Sequence, residues 1–344
     1  EVRLFSGNYP EEGVVRFPID SVPPPRSPQI ADIWGRFPLG VSYILNKNGL
    51  RLESGLDGVI YGNIPGGGMS RSASLTINLM LAFLEANKLT VSDPFRIIEM
   101  AQAVENEYIG SPCGQLDQIM IYFSKAGMGT HYNPRTKTVS HVPLGPAAED
   151  FRLVSLDTGT ERPGLEKSTY RIRRAECEEL VQRAKEAGFQ ITCLADVKDE
   201  ELYRKIVERF GKEFPHLCSR LTYIFKAQKR FVTMLEAWKR GDIAEVGRVF
   251  REDGLGLRDE YQISGPELET MCDIARTVPG VLGERMLGGG DKGAAGAIVR
   301  AESVEELRRA VDIAYPRSRP ASGKKYAVHD LQVVEGVKVF EKVL

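Results

Sequence analysis

A glycine-rich turn between a short apolar strand and a helix is the first place where this sequence offers chemistry. Gly58 to Gly62 reads GVIYG, a strand, and runs into Pro65-Gly66-Gly67-Gly68-Met69-Ser70-Arg71-Ser72-Ala73-Ser74. Glycines let the backbone bend until several N–H groups point into one concavity, and the helix start adds partial positive charge. That combination binds phosphate. The turn lacks the Gly-Lys-Ser/Thr of a P-loop, and it lacks the GxGxxG and ribose acid of a dinucleotide fold. A phosphate cradle without that lysine takes its cations from Mg²⁺ or an arginine. The plainer reading is a helix start with a flexible glycine lead and serine caps.

Two carboxylates follow. Glu105 stands at the edge of an apolar stripe made by Ile97, Met100, Ala101, Val104 and Tyr108. A carboxylate facing that way is costly unless paired or bound to metal, and the alternative is an ordinary edge glutamate. Asp117 stands just inside a helix opened by Pro112-Cys113-Gly114, with Leu116, Ile119, Met120 and Phe123 expected to face inward. One reading has it complement the helix dipole. The other has it held at a helix start, suited to orient a hydroxyl. Ser168-x-Tyr170-x-x-Arg173-Arg174-x-x-Cys177 reads alone as a solvated basic face. Gly288 to Gly293 reads as a tight turn. The histidines at 131, 141, 216 and 329 form no ligand spacing.

The elements that must position these residues are legible as patterns. Residues 1–20 predict a hairpin, with NYPEEG as its turn. Trp34, Phe37, Val41 and Leu45 have helical spacing, and a helix after the glycine-rich turn extends to about Ala86. Ser92, with Pro94 after it, predicts the next helix start, and a third helix covers about 115–123. MGTHY and KTVSHVPL predict paired strands. Composition changes at 145–150, which places a boundary between domains 1–149 and 150–344. Beyond it lie a strand FRLVSLDTG, helices at about 166–188, 198–209, 216–240, 242–260, 266–278 and 303–314, the strand AAGAIVR, and a strand near 325–334. Strands and helices mix without regular βαβ alternation, which predicts an α+β protein.

Composition narrows the function classes. Of 344 residues, 42% are hydrophobic and 27% charged, as in ordinary globular proteins rather than disordered ones. Lys plus Arg is 46 and Asp plus Glu is 47, so no overall basic field points to nucleic acid. No apolar run reaches the ~18 residues of a membrane helix. The five cysteines are odd in number and scattered without CxxC spacing, which points to a reducing cytoplasm rather than a disulfide framework or zinc site.

Taken together, these segments resemble the GHMP sugar kinases, and within them the galactokinase family. Gly62 to Leu75 looks like the family's phosphate-binding motif. Val104-Glu105-Asn106-Glu107-Tyr108 through Cys113-Gly114-Gln115-Leu116-Asp117-Gln118 resembles its segment ending in CGxMDQ. Ser168 to Cys177 resembles its SxYxxRRxEC stretch, and Gly283-x-Arg285-Met286-x-Gly288-Gly289-Gly290 its third motif. The resemblance implies a two-domain fold, an N-terminal ribosomal-S5-like domain followed by a ferredoxin-like sandwich with added helices. It implies ATP and Mg²⁺ as cofactors and a small-molecule sugar as substrate, with no nucleic-acid or membrane partner, in a monomer or weak homodimer. Pro65, Gly66, Gly67, Gly68, Ser70, Arg71 and Ser72 would line the ATP phosphates, with Trp34 near the adenine. Ser72 and Glu105 would hold Mg²⁺. Asp117 would be the catalytic carboxylate, facing the anomeric hydroxyl of galactose or a galactose-type sugar, with Gly114 and Tyr170 lining the sugar site.

Three departures accompany the resemblance. Arg71 replaces a serine inside the phosphate motif. Asp291-Lys292 and Ala294-Ala295 replace the usual bulky, glycine and cysteine positions of the third motif. The family's first motif, which carries an arginine, a Glu-His pair and an aspartate, has no counterpart here. Ile33-Trp34-Gly35 and Leu84 to Ser92 resemble the galacturonokinase branch, so galacturonic acid is the rival substrate. A galactokinase-like sugar and ATP sensor is the rival class, and the presence of Asp117, Glu105 and the loop serines speaks against it.

Overall fold

The structure is a computed structural model that describes residues 1–30, 33–63, 67–160, 168–322 and 325–340. The chain divides into two compact units. One is Glu1–Ile64, Ser70–Val142 and Val333–Leu344; the other is Pro65–Met69 and Pro143–Gln332. The change-over at Val142 lies beside the boundary expected at 149. The membership of 65–69 and of 333–344 is not part of that expectation.

In the first unit, β1 (Val2–Ser6) and β2 (Val14–Phe17) form the hairpin, antiparallel, with Leu4 opposite Val15. β3 (Asp57–Ile60) joins β1 in parallel, with Phe5 opposite Val59, so the strand order is β2-β1-β3. A parallel neighbour needs a crossover, and the connection between β2 and β3 carries α1 (Arg36–Lys47). Val41, Ile44 and Leu45 of α1 meet Ile77, Met80 and Phe83 of α2 (Arg71–Ala86) in one core. Ile97, Met100 and Ala101 of α3 (Pro94–Ala103) complete it, with Val2 and Leu4 from β1. Their three- and four-residue spacing makes each helix apolar on one side. The cap of α3 is Asp93 rather than Ser92: its carboxylate accepts from the Phe95 N–H at 2.9 Å. Pro94, whose fixed φ suits the first helical position, sets the start one residue later than expected.

After α3 the backbone widens into a π-helical turn, Val104–Ile109. α4 (Leu116–Phe123) follows, then β4 (Met128–Asn133) and β5 (Thr138–Pro143), which form a two-stranded sheet. Leu116 does not face inward as expected; it is 59% exposed. Gln118 and Ile119 take the inward face of α4, and at about 100° per residue Leu116 lies roughly opposite Gln118.

The second unit centres on an antiparallel sheet of order β7-β8-β6-β9, made by β6 (Phe151–Asp157), β7 (Val281–Met286), β8 (Ala294–Arg300) and β9 (Ala327–Leu331). Its helices are α5 (Thr169–Glu186), α6 (Glu200–Phe210), α7 (Pro215–Arg240), α8 (Ile243–Asp259), α9 (Pro266–Arg276) and α10 (Val304–Ser318). Leu156, Met271, Val299, Leu307, Val311 and Tyr315 share its main core. A separate cluster under α5, α6 and α7 includes Leu180, Ile206 and Leu221. The protein is α+β, as the sequence predicts. Among the described residues no helix is long and apolar enough to cross a membrane.

Candidate active site

The first unit gathers three helix starts or turns around one carboxylate. Glu105 is 5% exposed, on the inner side of the π-helical turn. Its Oε2 accepts from the Ser72 hydroxyl at 3.0 Å, and its Oε1 accepts from Gln118 Nε2 at 3.0 Å. Ser72 is the second residue of α2, and Gln118 lies in the first turn of α4. The edge-glutamate reading of Glu105 is therefore wrong: the residue is buried within a π-helical turn, a feature common at functional sites.

Asp117 is exposed beside Gln118, and it makes no hydrogen bond or ion pair with a described residue. The turn before it is fixed by amides. Cys113 N–H donates to Asn106 Oδ1 at 2.8 Å, and Gln102 Nε2 donates to the Cys113 carbonyl at 3.0 Å. Gln115 Nε2 in turn donates to Gln102 Oε1 at 2.9 Å. Burial, with the Glu105 charge nearby, pushes the Cys113 thiol up to about 12, so it is neutral and inert at physiological pH. Gly114 is exposed, and a Cβ built on it would meet nothing within 4 Å.

At the start of α2, Ser70 is the N-cap residue, yet its side chain makes no capping bond. It takes φ 57 and ψ 30, the left-handed region, which is unusual for serine and typical of functional loops. The serine-cap reading does not hold there. Arg71 turns to Tyr9: Nη2 donates to the Tyr9 hydroxyl at 3.3 Å, and the guanidinium stands 5.9 Å from the ring centroid. Trp34 is 7% exposed in the core of the unit, which leaves little of its ring for a ligand.

The second unit holds the glycine-rich segments. Gly68 has φ +87, and a Cβ there would stand 3.2 Å from the Leu287 carbonyl and 3.5 Å from the Ala294 N–H. Gly288 has φ +66, and its Cβ would come within 2.9 Å of the Gly68 Cα. The two glycine-rich segments thus pack backbone against backbone, and Ala294 and Ala295, both fully buried, leave room for that approach. Asp291, a departure from the family pattern, has a structural task. Its Oδ2 accepts from the Thr169 N–H at 2.6 Å, at the start of α5, where Ser168 makes no side-chain capping bond. Tyr170 lies in that first turn, half-buried against the unit's core. Pro65 and Gly66 lie outside the described residues.

Arg173, Glu176 and Arg220 explain part of the basic segment. Glu176 accepts from Arg173 at 2.9 Å and from the buried Arg220 at 2.6 Å, while Arg220 also donates to the Glu260 carbonyl at 2.6 Å. Arg173 is thus engaged in an ion-pair network rather than on a solvated face.

A hard dication such as Mg²⁺ takes one or two carboxylates and completes its shell with water and substrate phosphate oxygens. Glu105 and the Ser72 hydroxyl form an all-oxygen set of that kind, and the Gln118 side chain that contacts Glu105 has a buried Oε1 with no hydrogen-bond partner among the described residues. Among the described residues no group of three or more His, Cys, Asp or Glu has metal-site geometry. The set fits a cation that arrives with phosphate, not one caged by protein alone.

The sequence offers Glu105, Ser72 and Asp117 as candidates but gives Gln118 no task of its own. The available signal was Ile121 and Tyr122, three and four residues later, which pack against the same core and mark the inward face of α4.

The chain is similar to known proteins over most of its length. Residues 38–125 match the family described as GHMP kinases N terminal domain. A galactokinase of Enterococcus faecalis is 30% identical over 319 residues, which covers 92% of this chain and 79% of that protein. A galactokinase of Limosilactobacillus fermentum is 29% identical over 337 residues, covering 98% and 83%. Among solved structures, Lactococcus lactis galactokinase complexed with galactose superposes with a TM-score of 0.86 at 28% identity, covering 97% of this chain and 83% of that one.

Proposed function

The chain belongs to the galactokinase family of the GHMP kinases, and on that premise we propose that it transfers the γ-phosphoryl group of ATP to the anomeric hydroxyl of galactose. As a sugar kinase of this family it takes ATP as its phosphoryl donor. The observation that carries the reading is the Ser72–Glu105 hydrogen bond at 3.0 Å, which joins the helix after the glycine-rich loop to a buried carboxylate.

Each residue has a role that follows from its chemistry. Gly67, Gly68 and Ser70 present backbone N–H groups to phosphate oxygens, helped by a helix start without a side-chain cap. Glu105 and Ser72 would hold Mg²⁺, which would shield the negative charge of the phosphates. Asp117 orients the sugar hydroxyl and accepts its proton during transfer. Gly114 needs no glycine for the protein's own packing, which supports close approach of the sugar there. Phosphoryl transfer needs positioning and charge neutralisation more than covalent chemistry, and these groups supply both.

The test is NMR of the product made from galactose, galacturonic acid and glucose with Mg-ATP. The expected product is the α-sugar 1-phosphate of galactose, with glucose a poor substrate because its equatorial C4 hydroxyl is misplaced. Phosphorylation at the primary hydroxyl, or glucose as the best substrate, refutes the proposal. A strong preference for galacturonic acid moves the chain to that branch.

A further inference from the structure

Gln118 is 1% exposed, yet the reaction proposed above gives its side chain no chemical step. One end of its amide is engaged: Nε2 donates to Glu105 Oε1 at 3.0 Å and stands 3.7 Å from Cys113 Sγ. The other end, Oε1, is buried with no hydrogen-bond partner among the described residues. A buried amide satisfied at one end only is unfavourable for folding, so its retention asks for another reason.

The chemistry of an amide supplies one. Glu105 has one oxygen on Ser72 and the other on Gln118, so the plane of the carboxylate is fixed from both sides. A lysine or arginine in place of Gln118 would neutralise the carboxylate and compete with a cation. An aspartate or glutamate would repel it. Leucine or methionine would fill the space but leave Oε1 of Glu105 without this donor. Only a neutral donor holds the carboxylate and keeps its charge available. The same bond ties the first turn of α4, which carries Asp117, to the π-helical turn.

We infer that Gln118 is a positioning residue for the metal: it orients Glu105 for the cation before the nucleotide brings it. This rests on the reading of Glu105 as a metal carboxylate. Partners that orient a metal ligand from outside typically affect metal affinity by about 10-fold to 100-fold.

The experiment titrates Mn²⁺, a paramagnetic stand-in for Mg²⁺, into the full chain with a non-hydrolysable ATP analogue and reads the free ion by EPR. The variants are Gln118→Leu, Gln118→Met, which keeps the unbranched shape should leucine fail to fold, and Glu105→Gln. The inference expects Mn²⁺ affinity to fall about 10-fold or more in Gln118→Met. It expects metal-free nucleotide affinity and the KM for sugar to stay unchanged, and the loss of turnover to shrink as Mg²⁺ is raised. A purely structural glutamine would lower the melting temperature and leave Mn²⁺ affinity within about twofold, and that result overturns the inference. Should Glu105→Gln weaken Mn²⁺ binding while Gln118→Met does not, only the inference falls. Should neither weaken it, the metal reading of Glu105 falls first.

Discussion

A Cβ placed on Gly293 would stand 2.5 Å from the carbonyl oxygen of Gly67, so these two residues meet with no room for a side chain between them. Gly293 also has φ +103, a conformation that L side chains rarely adopt. Gly293→Ala is therefore expected to cost about 1–3 kcal/mol of stability and to displace the loop that carries Gly67. Steady-state kinetics should show the KM for ATP rising more than the KM for sugar. An unchanged KM for ATP would separate Gly67 from nucleotide binding.

Asp117→Asn is expected to lower kcat by ~10² or more while nucleotide binding survives. The amide keeps the shape at the start of α4 but loses the charge and the ability to take a proton. Turnover within threefold of the unaltered chain, measured by ADP release, would remove Asp117 from the chemistry.

Asp291 combines a left-handed backbone, φ 61, with a bond to the Thr169 N–H. Alanine loses both the acceptor and the tolerance for that backbone, so Asp291→Ala should destabilise the chain by about 1–2 kcal/mol. Asparagine keeps both and should cost less than about 1 kcal/mol. Urea unfolding distinguishes them. Equal losses in the two variants would deny Asp291 its role at the start of α5.

Glu176 titrates in a direction that can be followed. Burial alone would push its carboxyl up, but the hydrogen bonds and charges of Arg220 and Arg173 outweigh burial and hold it below its ordinary 4.5. A carboxyl lowered on folding adds stability above its unfolded value and loses it as pH falls through the folded one. The stability gap between the unaltered chain and Glu176→Gln should thus be largest near neutral pH and shrink below about 4.5. Denaturation curves across that range provide the check, and a gap that grows on acidification would contradict the sign.

Local pattern was enough for much of this protein. The apolar spacing of Val41, Ile44 and Leu45, of Ile97, Met100 and Ala101, and of the long second-unit helices determined where helices form and which side they bury, because helical periodicity is a property of neighbours in sequence. The glycine-rich turn, Glu105 and Asp117 could be singled out as candidates too, since residue type and motif spacing are local features. What required the tertiary structure were choices between faces and partners. Leu116 and Gln118 are both compatible with a buried position on α4, and only packing against Glu105 put the amide inside and the leucine outside. The π-helical turn at Val104–Ile109 leaves no distinct signature in its composition. Asp291 reaches Thr169 across 122 positions, and Arg220 reaches Glu176 across 44. The bonds of Asp291 to Thr169 and of Arg220 to Glu176 depend on which segments the whole chain brings together, and no local preference encodes them.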